Sequence, residues 1–450
     1  MFFTLLEKNL WLCLAIAVLA VQIPIYAQTV PPELSSTLTR YLDQTSGMTA
    51  DETVAYALSN NGELAAARKE IEAARALVKQ ARLRSNPSVE FSRQEQIGGA
   101  DNDTMIAGSL PLELGGRRRT RINVAEAELA IREREVANRE RLLASEVRLK
   151  FGEALGQTLK LKLIEDLLKS VLQGFRLVQA RVVEGKTAPL EENMTLVEVN
   201  RLRSRRELEA GQTEIKLLEL RNLLGLKPEE PLRLRGDFKD LLAPLPTLAE
   251  ATQQALQTRP DLQAMRAIET LANAQIEQAR AGGRIDASVS AGYGRNNFSF
   301  PVNGITNTGA LRPVQDVFHS LRFGIIFEIP VRNRNQGAIE AAVANREAAA
   351  RRLEFADLTV RREVAAAFAR YQSSARAMEI FRVGVRGQAN ANLDVVRQIY
   401  ELGASNLIDY LVEERRFIEL ETEFIDAQLA VYQARIEIGR AIFAPDLIIK

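Results

Sequence analysis

The 450-residue chain contains one cysteine, one histidine and one tryptophan. Cys13 and His319 cannot supply a disulfide, a Cys–His dyad or a Cys/His metal cluster, because each needs at least two such residues. An excess of one charge is also missing. Against 59 Lys and Arg stand 58 Asp and Glu, and the formal net charge of +1 gives no reason to expect a nucleic-acid partner. Carboxylates are plentiful but lie along helical stretches, as Glu126 with Glu128 and Glu133 with Glu135 do, and residues two apart on a helix do not face one another. No catalytic residue, metal ligand or cofactor is therefore implied, and the chain is not read as an enzyme. Abundant Ala, Leu, Glu and Arg with only 15 prolines fits long helices.

One long hydrophobic run is present. Lys8 precedes the uncharged stretch Leu10 to Val21, followed by Pro24 and the small Ala27, which is the layout of a secretory signal cut between Ala27 and Gln28. Its strongly apolar part, about 12 residues, is short of the about 20 that a spanning helix needs. Cys13 follows Leu12 rather than a small residue, so a lipoprotein signal is not expected.

Compared with itself, the chain repeats. Ala57-Leu58, Leu64, Arg68 and Gln80-Ala81-Arg82 recur 198 residues later as Ala255-Leu256, Leu262, Arg266 and Gln278-Ala279-Arg280. Ile122, Ala125, Ala127, Glu146-Val147 and Phe151 recur 217 residues later as Ile339, Ala342, Ala344, Glu363-Val364 and Phe368, and Arg221 and Gly225 match Arg435 and Gly439 at 214. The expected organisation is a signal (1–27), an N-terminal extension (28–47), a first repeat (48–225), a Pro-rich linker (226–246), a second repeat (247–443) and a tail (444–450).

Each repeat reads as helix, alternating segment, loop, alternating segment, very long helix, turn and helix. The first helix is expected from about Ala50 to Arg84, ending before Asn86-Pro87. Strand periodicity with one greasy face follows: Val89 and Phe91, then Ile106, Leu110 and Leu112, and in the second repeat Val289 and Tyr293, then Leu321, Phe323, Ile325 and Phe327. Each alternating segment spans about 8 to 11 residues, near the length of a tilted transmembrane strand. Asn297 to Thr308 reads as an external loop, with His319 a surface residue ahead of the last strand. Four strands cannot close a membrane barrel, and an open sheet would leave unpaired backbone in lipid, so several chains would have to share one barrel. Long helices are expected from about Gly116 to Glu184 and from about Asn335 to Leu402, each a rod of about 100 Å.

With Leu112-Glu113-Leu114-Gly115-Gly116-Arg117-Arg118 leading into the first rod and Ile329-Pro330-Val331-Arg332-Asn333-Arg334-Asn335-Gln336-Gly337 into the second, the chain resembles TolC-type outer-membrane efflux proteins, and in these motifs the cobalt-zinc-cadmium branch. The resemblance implies a mainly α fold with a small transmembrane β part. Long antiparallel helical hairpins would form an α-barrel, and four strands per chain would build a twelve-stranded β-barrel in a homotrimer. It also implies a passive exit duct in the outer membrane, in contact with outer-membrane lipid and docked to a periplasmic adaptor (membrane fusion) protein and an inner-membrane transporter of the resistance-nodulation-division type. By position in that family, Gly185, Gly403, Ala404, Ser405 and Leu407 would be adaptor contacts at the hairpin tips, and Glu401, Asp409, Glu184, Glu191 and Glu192 pore-gate acids; solvated helix-end charges are the plain alternative. Val89, Phe91, Val289, Tyr293, Leu321, Phe323, Ile325 and Phe327 would face lipid. An exported coiled-coil scaffold or adaptor-like rod explains the helices equally well but not the paired alternating segments in both repeats. Within the duct reading, heavy-metal cations, small toxic organics and secreted polypeptides, as in a type I secretion channel, stay open as cargo.

Overall fold

The computed structural model describes residues 38–238, 241–242, 244–402, 404–405 and 407–443. The expected signal segment, the tail 444–450 and Gly403 lie outside the described residues.

The first expected helix is two, α1 (Ala50–Asn60) and α2 (Gly62–Arg82). Thr49 opens α1 in a capping box with Glu52. Extended Asn61 then closes α1, and its side chain accepts from the Leu64 backbone N at 2.9 Å to start α2. The apolar rhythm runs on across this break, which is why periodicity alone hides it. Strands β1 (Ser88–Glu95) and β2 (Asn102–Pro111) lead into the unbroken 67-residue α3 (Arg117–Val183), and α4 (Pro189–Leu224) returns beside it.

The same order follows again: α5 (Leu248–Thr258), α6 (Pro260–Gly282), β3 (Asp286–Ile305), β4 (Leu311–Glu328), α7 (Gln336–Ile380), α8 (Arg386–Glu401) and α9 (Leu407–Ile442). Here Pro260 forces the break, since it disfavours helix at Arg259. The matched arginines make the same bond in both halves: Arg68 donates to the Leu58 carbonyl and Arg266 to the Leu256 carbonyl, each at 2.9 Å.

The second rod is not continuous α-helix. A π-helical turn, Phe381–Val385, joins α7 to α8. The strands of the second hairpin, 20 and 18 residues, are also longer than expected. Residues 297–305 are strand rather than loop, and His319 sits inside β4 opposite Arg295. Backbone ladder bonds need no greasy face, so pairing continues past the point where alternation stops.

The two motifs that lead into the rods are corners. Glu113, Gly115 and Gly116 have φ of 50°, 68° and 85°, and a Cβ on Gly115 would lie 2.8 Å from the Arg284 Cβ, so glycine is required there. Asn335, at φ 63°, turns the second corner, and Asn tolerates that region better than most residues.

The strands form one antiparallel sheet in the order β1-β2-β3-β4. On the sheet side the helices lie side by side as α2, α3, α6 and α7, and on the hairpin side as α4, α3, α9 and α7/α8. The rods α3 and α7/α8 thus run the full length. Along one side of α3, α2 and α4 stack end to end; between the rods, α6 and α9 do so. A further layer of α1, α5 and the described part of the 226–246 connector covers one face, with Phe151, Leu155, Leu217, Leu234 and Ile436 in the core beneath α1 and the connector, and Ala251, Ala255, Val360 and Val364 in the core at α5. Among the described residues, no helix is long and apolar enough to cross a membrane.

Candidate functional site

Strand register decides which side chains share a face. Phe91 lies opposite Ile106, Ile106 opposite Tyr293, and Tyr293 opposite Leu321. The next rows are Val89, Gly108, Ala291 and Phe323, then Leu110, Val289 and Ile325, then Ala287 and Phe327. All eight residues expected to face lipid therefore lie on one side of the sheet. Apart from Ala287, which is buried at one end, that side is largely exposed: Phe323 is 81% exposed, Val89 75% and Leu321 72%. The other side carries Glu90, Ser109, Ser290, Ser320 and Arg322. An apolar band backed by a polar face suits a wall between lipid and water. One row beyond the band come Arg93, Thr104, Arg295 and His319, where Tyr293 and His319 are hydrogen-bonded.

At the far end, α3 closes with Glu184, and Gly185 takes the left-handed conformation at φ 70°. Glu184 pairs with Lys186 at 2.7 Å and Glu192 accepts from Gln179 at 3.2 Å. In the second hairpin Glu401 pairs with Arg397 at 3.0 Å, and Asp409 accepts from the Ser405 hydroxyl at 3.1 Å. Ala404 is exposed beside them, whereas Leu407, expected at the adaptor contact, is buried. The charge of Glu191 reaches Tyr400 across the two hairpins; burial and that charge both raise the phenol pKa.

Behind these acids lies a group that the sequence reading missed. Tyr400 stacks on Tyr410 with centroids 5.8 Å apart, and the Tyr410 hydroxyl donates to Glu414 at 3.2 Å. Glu414 is only 3% exposed. Burial, reinforced by the charge of Glu198, pushes its carboxyl up to about 7. Glu198 itself is paired with Arg415 at 3.2 Å and Arg201 at 3.7 Å. The spacing Leu407, Leu411, Glu414, Ile418 was the available signal, an acid on the apolar stripe of α9.

The junction between α9 and α6 was missed as well. Arg141 donates to the Arg440 carbonyl at 2.6 Å, Arg259 to that of Ala441 at 3.3 Å, and Thr258 to that of Ile442 at 3.3 Å. These groups take up the last carbonyls of α9 and its negative dipole end. Arg259, 3% exposed, is held by Asp261 at 2.5 Å and Glu363 at 2.7 Å. Burial lowers Arg141 to about 10, reinforced by the charges of Arg259 and Arg440 and opposed by Asp261. Among the described residues, no group of three or more His, Cys, Asp or Glu could hold a metal ion.

A family model described as outer membrane efflux protein matches residues 54–226 and 251–442. The cobalt-zinc-cadmium resistance protein CzcC of Cupriavidus metallidurans is 23% identical over 397 residues, covering 87% of this chain and 89% of that one. Among solved structures, CusC, described by its folding and transmembrane channel formation, superposes with a TM-score of 0.68 at 20% identity over 93% of this chain and 98% of its own. The outer membrane protein VceC of Vibrio cholerae superposes with a TM-score of 0.66 at 16% identity, covering 87% and 95%.

Proposed function

The chain belongs to the outer membrane efflux protein family, whose members are passive channels rather than enzymes, and on that premise we propose that three copies form one exit duct of a tripartite pump. One observation carries this reading: a four-stranded sheet with a largely exposed apolar face and both edges, β1 and β4, without a partner strand among the described residues. In lipid, unpaired edges cost several kcal/mol per backbone group, so β4 of one chain has to meet β1 of the next and the ring has to close. The helices support the same head-to-tail contact. Val197 and Leu208 stand bare on α4, at one flank of the layer, and Phe355, Ile380 and Val395 on α7 and α8, at the other. A heterologous contact that closes gives a cyclic oligomer.

The hairpin tips, with Gly185, Gly403, Ala404 and Ser405, then face the periplasmic adaptor, and an inner-membrane transporter of the resistance-nodulation-division type supplies the energy. Leu407 supports that surface from below. Glu184, Glu191, Glu192, Glu401 and Asp409 ring the pore mouth and favour cations over anions. The relationship to CzcC favours metal cations as cargo. The organisation into repeats 48–225 and 247–443 joined by the 226–246 linker belongs to the same reading, as does export by a signal cut after Ala27.

Sucrose-gradient fractionation of producing cells, followed by mass determination of the detergent-extracted particle, tests the duct. A trimer in the outer-membrane fraction is expected. A water-soluble periplasmic monomer would overturn it in favour of an exported scaffold. For the gate, replacing Glu401 with Gln and Asp409 with Asn should lower single-channel cation selectivity; unchanged selectivity removes these two residues from the gate.

A further inference from the structure

The α9–α6 junction opens into a cavity of about 610 Å³. Its wall holds five arginines against three carboxylates. Arg141 and Arg259 form the floor and are engaged with the end of α9 and with Asp261 and Glu363. At the mouth, Arg370 pairs with Glu437 at 2.7 Å, while the exposed guanidinium groups of Arg362 and Arg440 have no ion-pair partner among the described residues. The cavity is therefore electropositive, with two planar forks at its rim that no carboxylate of the described residues engages.

The helical periodicity places this rim inside the ring. On α7, Val360, Val364 and Phe368 pack under Ala251 and Ala255 of α5, together with Ile438 and Ile442 of α9. Arg362, Ala366 and Arg370 recur every four residues on the opposite side of α7, and Arg440 stands two residues from Ile438, on the opposite side of α9. A duct has room for the extra layer of α5 only on its outside, so the arginines look into the lumen.

We infer that this cavity is a lumenal binding site for small polyanions carrying carboxylate or phosphate groups. Guanidinium forks match the two oxygens of either group in bidentate geometry. Three copies around the axis would give the middle of the duct an anion-binding belt that the acids at the tips lack. The inference rests on the duct reading for its placement in the lumen, while the arginine cluster itself belongs to a single chain. In the first repeat the matched positions carry Ser145 and Glu153 in place of Arg362 and Arg370. Glu153 there sits in a closed network with Lys150 at 3.1 Å and Lys216 at 2.9 Å, so only the second repeat presents the cavity's free cations.

Isothermal titration of the full detergent-solubilised chain with citrate, and separately with inorganic pyrophosphate, tests the site without requiring conduction. Binding of one anion per chain is expected, weakening about tenfold or more in the Arg362→Gln/Arg440→Gln variant, as loss of two charge-assisted contacts implies. Both side chains are exposed, so the variant should fold, and its unchanged melting temperature without citrate checks this. Removing equal charge at the sheet rim, with Arg93→Gln/Arg295→Gln, should leave citrate binding intact. No binding by the parent chain, or equal binding by the cavity variant, overturns the site. Bilayer recordings on the same preparation separate the two readings. A conducting particle that binds no citrate sinks the anion site and leaves the duct standing, whereas citrate binding by a particle that never conducts keeps the site and overturns its placement in a lumen.

Discussion

Where α4 runs into α2 in the first half, one neutral side chain bridges the two ends: Asn61 accepts from Leu64 N and donates to the Leu223 carbonyl at 3.0 Å. Gly225, at φ 74°, ends α4 so close that a Cβ would lie 2.8 Å from the Asn60 carbonyl oxygen. Where α9 runs into α6 in the second half, Gly439 leaves the helix running on to Ile442, and the bridge is built from Arg141, Arg259, Asp261 and Glu363. The same stacking problem is thus solved once by a tight turn and an amide, and once by buried arginines paired with partly exposed carboxylates. The first solution is compact and closed; the second leaves a cavity and spare positive charge facing it. The two halves keep the same order of elements while the polar groups at their matched junctions differ.

The junctions should differ in what they tolerate. Arg259→Ala removes a helix-end donor and the charge-assisted bonds to Asp261 and to Glu363, which is 42% exposed and can be solvated, so the loss costs about 1.5–3 kcal/mol. Asn61→Ala costs about 1 kcal/mol, as the loss of a cap does. Thermal unfolding of the detergent-solubilised protein should show the larger fall for Arg259→Ala; equal falls would erase the contrast between the two junctions. The tip hairpins sharpen it further. The carboxyl of Glu414 is held up at about 7 against an ordinary 4.5, so the folded state holds the proton more tightly than the unfolded chain. The contribution of Glu414 to stability is then fully present below about pH 4.5, falls by about 3 kcal/mol per chain as pH rises through 7, and levels off above that. Glu414→Gln should flatten this slope. Asn200, the first-half residue at the 214 offset, is exposed and does not titrate, so changing it should leave the pH profile alone.

Legibility followed the physics of each feature. The apolar face of the sheet could be read because Leu321, Phe323, Ile325 and Phe327 fall at every second position, interrupted only by Ile326 on the other side, and register then only had to bring the rows together. The corner motifs stood out because Gly115-Gly116 and Asn335 meet a backbone demand that few residues can satisfy. The break at Asn61 was not legible, since the same residue ends one helix and starts the next without disturbing apolar spacing. Nor was the extent of β3 and β4, whose outer rows mix Phe298, Phe300, Phe318 and Leu311 with Asn297, Asp316 and Gln315 without regular alternation, or the π-helical turn, which costs no change of composition. The second junction was hidden for a different reason. Arg141, Arg259 and Arg440 lie up to 299 residues apart, and nothing local marks an arginine that will be buried.

Two smaller tests probe whether matched positions in the long rods are equivalent. A Cβ on Gly152 would lie 2.3 Å from the Tyr432 ring, so Gly152→Ala forces the ring aside and should cost about 1–3 kcal/mol. Its partner at the 217 offset is the exposed Ala369, where Ala369→Gly should cost only the intrinsic helix penalty of about 0.5–1 kcal/mol. A similar cost at both would mean that α3 is not pinned against α9 where Tyr432 meets it. The least effect is expected at the tips. Glu401 and Arg397 form an exposed pair one helical turn apart, worth about 0.3–0.5 kcal/mol. Arg397→Gln should therefore leave melting almost unchanged, yet it uncovers the Glu401 charge at the proposed pore mouth. Cation selectivity in bilayer recordings should rise in that variant and stay level in Lys186→Gln if the second hairpin, not the first, lines the narrowest point. A rise with Lys186→Gln alone would reverse the assignment and place Glu184 and the first hairpin at the constriction.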